Sequence, residues 1–78
     1  MPALDQLRVG SLAKIEAVGG PPALVQRFLE MGLLEGEEVE VLARAPLGDP
    51  IEIRCGDSRL SLRCREAAQI QVSPRPAG

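Results

Sequence analysis

The 78-residue sequence has no histidine, tryptophan or tyrosine, and Phe28 is its one aromatic residue. Each absence excludes a function. Without histidine, Ser11, Ser58, Ser61 and Ser73 have no imidazole to activate them as nucleophiles. With a single ring, the chain offers no stacking platform for successive single-stranded bases. A basic excess is missing too. Nine Lys and Arg against eleven Asp and Glu leave a net charge of −2, whereas a phosphate-binding surface needs a positive face. The glycines at 32, 36, 48 and 56 match no phosphate-cradling pattern and read as turn residues. No apolar run approaches the roughly 18 residues that mark a membrane-spanning helix, so direct membrane insertion is not expected. The start, "MPALDQLRVG", carries an acid and lacks the long apolar stretch of a signal peptide. These exclusions lead to the expectation of a cytoplasmic protein that is not an enzyme and binds no nucleic acid.

What is present is largely aliphatic. Apolar residues make up 45% of the chain, and its length suits one domain. A chain of this size buries only roughly 60% of its unfolded surface, so the core must be compact. "LDQLRVG" (4–10) reads as a short helical turn and "SLAKIEAV" (11–18) as a first strand. "GGPP" ends that strand, and Pro21 or Pro22 suits the first position of a helix. On the helical wheel Leu24, Val25, Phe28 and Met31 share one face, and Gln26, Arg27 and Glu30 the other. Gly32 then suits a left-handed helix stop, with Leu33 folding back on Phe28.

Beyond the Glu35–Gly36 turn the period becomes two. Val39, Val41 and Ala43 are expected to point inward, with Glu38, Glu40, Leu42 and Arg44 outward. The alternation of carboxylates with valines in "EEVEV" is that of a solvated strand face. Strands at 51–55 and 60–63 follow, then a single helical turn in "CREAAQ" and a last short strand, "IQV" (70–72). Pairing Ile53 with Leu62 and Cys55 with Leu60 across "GDSR" places Cys64 opposite Ile51. That is about 13 Å along the strand from Cys55, beyond disulfide reach, so two reduced thiols are expected. About five short strands, each with one apolar face, bury those faces best as a small barrel capped by the helix. The domain is expected over residues 1–73, with 74–78 a polar, frayed tail.

One turn stands apart. In "APLGDP" (45–50), Pro46 suits position i+1 and Leu47 position i+2, and Gly48 takes the positive φ that follows. Leu47 either folds back to plug the barrel mouth or points outward. In the second case it joins Leu42 and Pro46 in an apolar patch for a protein partner.

The stretch from Arg27 to Val72 resembles the FeoA family of bacterial ferrous iron transport proteins. The likeness is carried by "FLEMGLLEG", "APLGDPIEI" and "LSLRCREAAQIQV", and the opening "LDQLRVGSLAKI" is similar too. A similar domain ends the DtxR-type iron-dependent repressors, where it follows a DNA-binding domain. Nothing precedes it here, so the free-standing form is expected. The resemblance implies a mainly β, SH3-like barrel with one capping helix. It also implies an accessory role beside FeoB, the ferrous iron transporter that carries a GTP-binding domain, with the cytosolic region of FeoB as partner and no cofactor. Transition-metal binding is often attached to such domains. The alternative reading is therefore a metal-responsive module that binds Fe²⁺ or another divalent ion weakly, through carboxylates and Cys64.

Overall fold

The double proline closes the first strand and opens the helix. In the computed structural model, which describes residues 1–75, strand β1 (Leu12–Val18) leads through two glycines to helix α1 (Pro22–Glu30). Pro22 occupies the first helical position, where a missing N–H breaks no bond and the fixed φ is already helical. Phe28 is fully buried, with Leu24 and Met31 packed against the same core. At the far end the Gly32 N–H donates to Leu29 O at 3.0 Å and the Leu33 N–H to Phe28 O at 2.9 Å. These are the two bonds of a Schellman ending, and Gly32 supplies its left-handed residue at φ +84°. Leu33 is fully buried.

Strands β2 (Glu38–Arg44), β3 (Ile51–Cys55), β4 (Ser58–Leu62) and β5 (Ile70–Arg75) complete one antiparallel sheet, in the order β4-β3-β2-β1-β5. Its inner faces converge on a single core with Phe28 and Leu33. The expected closed barrel is not formed. β4 and β5 are the two ends of the sheet and share no ladder among the described residues. A short helix α2 (Cys64–Ala67) connects them and packs on a 3-10 turn at Leu4–Gln6, which also lies against β5. Helical backbone spends its hydrogen bonds internally, so this side of the core is covered without a ladder.

Three further departures have physical reasons. The β3–β4 hairpin pairs Ile51 with Leu62, Ile53 with Leu60 and Cys55 with Ser58, a shift of two residues from the expected register. Gly56-Asp57 alone makes the turn, with positive φ at Gly56 only, as a tight type II′ turn requires. Cys64 therefore lies beyond the strand, at the start of α2, and both cysteines are free thiols.

In β2 the ladder to β3 skips Leu42: Val41 faces Ile53, Ala43 faces Glu52 and Arg44 faces Ile51. This bulge inverts the alternation after it. Ala43, expected inward, is exposed. Arg44, expected outward, stands opposite the fully buried Ile51.

Finally, β5 runs on through Ser73, Pro74 and Arg75, paired with Lys14, Ala13 and Leu12. The predicted tail thus loses its first two residues to the sheet, and residues 76–78 lie outside the described residues.

Candidate functional site

Leu47 sits at the tip of a tight turn. The Gly48 N–H donates to Ala45 O at 2.7 Å, and the Ala45 N–H donates to Pro50 O at 3.1 Å across the base. Pro46 occupies i+1, Leu47 i+2, and Gly48 has φ +88°. Leu47 is 97% exposed, so it does not plug the core. Pro46 is also exposed, and Leu42, the extra residue of the bulge, is half-buried.

The turn is tied down from beneath by a residue that the alternation pattern misplaced. Arg44 ends β2 on the inner side and forks to three carbonyls. One terminal nitrogen donates to Asp5 O and, at 2.7 Å, to Leu7 O; the other donates to Gly48 O at 3.4 Å. The planar guanidinium suits this, since its donors diverge at fixed angles. Cys64 adds two ties to the same turn. Its Sγ donates to Gly48 O at 3.0 Å, and its N–H donates to Asp49 Oδ1 at 2.9 Å. The start of α2, the Leu47 turn and the N-terminal 3-10 turn are thereby joined through Arg44 and Cys64. One sequence signal for this was present. In "VEVLAR" the alternation breaks at Leu42-Ala43, where the bulge falls.

The remaining polar groups hold elements together. Glu66 on α2 accepts from the Arg63 N–H at 2.9 Å and pairs with Arg27 of α1, and its side chain is 11% exposed. Burial first, and the Glu37 carboxylate second, push the Cys55 thiol above its ordinary value, which keeps it protonated and unreactive near neutrality. Direct metal binding needs several donors side by side. Among the described residues no three His, Cys, Asp or Glu side chains are grouped to hold an ion, and the Cys64 N–H donates to the Asp49 carboxylate. No described helix is long and apolar enough to cross a membrane.

A family model described as the FeoA domain matches residues 3–74. The chain is 41% identical over 69 residues, 88% of its length, to the Fe(2+) transport protein A/Fe(2+) transporter FeoB fusion protein of Porphyromonas gingivalis, and spans 8% of that protein. Among solved structures, the FeoA protein of Chlorobium tepidum superposes with a TM-score of 0.85 at 40% identity, covering 90% of this chain and 67% of that one. Stenotrophomonas maltophilia FeoA complexed with zinc, described as a procaryotic SH3 domain protein, gives 0.82 at 31% identity, over 94% of this chain and 91% of that one. A manganese-dependent transcriptional repressor gives 0.88 at 20% identity, over 95% and 41%, which is a likeness of fold alone. The fold is SH3-like, with an open five-stranded sheet.

Proposed function

Because the chain belongs to the FeoA family of proteins associated with ferrous iron transport, we propose that it is a cytoplasmic accessory protein that acts by non-catalytic contact with the cytosolic region of a FeoB-type transporter. The observation that carries this reading is Leu47, an apolar side chain 97% exposed on a braced turn. Burying a leucine at an interface is worth roughly 1.5–3 kcal/mol. A turn already fixed by Pro46, Gly48 and the Arg44 and Cys64 ties loses little further freedom on binding. Pro46 and Leu42 flank the anchor. The P. gingivalis protein, named as a fusion of the two transport components, supports the choice of partner.

The alternative, a module that binds Fe²⁺ directly, would use Asp49 and Cys64. It has less support, because no third His, Cys, Asp or Glu side chain stands with them among the described residues.

A pull-down against the transporter's cytosolic domain tests the contact. Leu47→Asp should fold normally, since a change at an exposed site is usually within about 0.5 kcal/mol, and should weaken capture strongly. Capture equal to that of the wild type would reject the contact role.

A further inference from the structure

The two ends of the sheet are finished differently. The outer side of β5 is covered: Ala3 bridges Gln71, and the Val72 N–H donates to Pro2 O at 3.0 Å. β4 has no such cover among the described residues. Its free backbone groups follow from the hairpin. The pair that closes a two-residue turn exchanges both of its hydrogen bonds, and the pairs along the ladder then alternate. Ser58, Leu60 and Leu62 therefore direct their N–H and C=O groups at β3. Arg59 and Ser61 direct theirs away from the sheet.

Arginines stand on this edge and just past its far end, in a chain whose net charge is −2. Arg59, Arg63 and Arg65 are all exposed. Arg59 pairs with Glu52 at 2.7 Å, while Arg63 and Arg65 form no ion pair among the described residues. The far end of the edge is anchored to the Leu47 turn through the Cys64 N–H and Asp49. An exposed edge next to an apolar anchor is a template for a further strand.

We infer that β4 receives an extended, acidic segment of a partner protein, which adds as a sixth strand by pairing with Arg59 and Ser61, its carboxylates facing Arg63 and Arg65. This extends the contact function proposed above and rests on it for the partner's identity. The edge itself can be tested without that partner. Arginines also guard an edge against chance pairing, and such a guard repels basic strands while attracting acidic ones, so the sign of the guest charge decides what the edge accepts.

The experiment titrates ¹⁵N-labelled protein with a short acetylated peptide of alternating Glu and Thr, and separately with its Lys and Thr counterpart. With the acidic peptide, the Arg59 and Ser61 amides should shift and exchange more slowly, while Leu60 and Leu62, already bonded to β3, change little. Ser61→Pro removes an outward N–H and spares the β3 ladder, so it should keep the fold and weaken the acidic peptide by about tenfold or more. Arg63→Glu with Arg65→Glu should do the same. The inference is overturned if the acidic peptide leaves Arg59 and Ser61 unaffected, if the basic peptide binds as well, or if a folded Ser61→Pro variant binds like the wild type. The wild-type amide map decides even if that variant does not fold. Loss of transporter capture in Leu47→Asp with no peptide binding would sink the strand inference alone, and the converse result would sink the Leu47 reading alone.

Discussion

Arg44→Ala would remove a side chain that joins the N-terminal 3-10 turn to the Leu47 turn. Hydrogen bonds that involve a charged group contribute about 1.5–3 kcal/mol each when well formed. Arg44 is only half-buried, and its bond to Gly48 O, at 3.4 Å, is long. The two short bonds, to Asp5 O and Leu7 O, should therefore dominate. Neither carbonyl accepts a backbone N–H among the described residues, so both lose their protein partner in the variant. Allowing for solvent access, the loss should be about 2–4 kcal/mol. At 0.05–0.15 kcal/mol per residue a chain of this length holds about 4–12 kcal/mol in total. With each kcal/mol worth about 4–8 °C in a small domain, the midpoint should fall by roughly 8–32 °C. Arg44→Lys should fall in between, since an ammonium carries the charge without the fork. Circular dichroism melts and urea titration measure both variants. A midpoint within about 2 °C of the wild type for Arg44→Ala would falsify the clamp and return Arg44 to the solvent-facing role that strict alternation assigns it.

Three other outcomes are expected. Gly32→Ala places a Cβ at φ +84°, where it meets no neighbour, so backbone strain alone should lower stability by about 1 kcal/mol, seen as a melt about 4–8 °C lower; an unchanged melt would mean the helix does not end there. Cys55 holds its proton in the folded chain above about pH 9, where an unfolded thiol ionises, so its contribution is complete below that pH and is lost as the pH rises further; urea midpoints that show no steeper alkaline decline in the wild type than in Cys55→Ala would contradict this. Native labelling should modify the half-buried Cys64 before the buried Cys55, and denatured labelling should find two thiols; a mass two units lower before labelling would reveal a disulfide and refute the hairpin geometry.

How much of this was legible in the sequence depended on whether the signal was chemical or periodic. The helix end was legible because glycine at a left-handed position and a leucine folding back are chemically specific, and Gly32 and Leu33 occupy those places. The Leu47 turn was legible for the same reason, through Pro46 and Gly48. The hairpin register was not fixed by period. Moving from the Ile53–Leu62 pairing to Ile53–Leu60 leaves every apolar residue on its own face, so only the Gly56-Asp57 turn discriminates. Arg44 was misplaced because a bulge inverts all alternation beyond it, and the only trace was the break in alternation at Leu42-Ala43. Pro74 suggested a tail, yet proline fits the outermost strand wherever its nitrogen faces away from the ladder. Closure of the sheet was also beyond period, which counts strands but does not say whether the end strands meet.

The place of β1 has a consequence for how the chain acquires its structure during synthesis. β1 lies between β2 and β5, so one of its two neighbours is the last strand to be made. Residues 2 and 3 likewise bond to Gln71 and Val72. On a ribosome that adds about 5–20 residues per second, the first strand must wait for nearly all of this domain before its second side is covered. Pairings this distant in sequence are slow to close. The interval leaves one hydrogen-bonding edge of β1 open to competitors, and the short strands and dispersed charges of this small domain limit what can take hold there before β5 arrives.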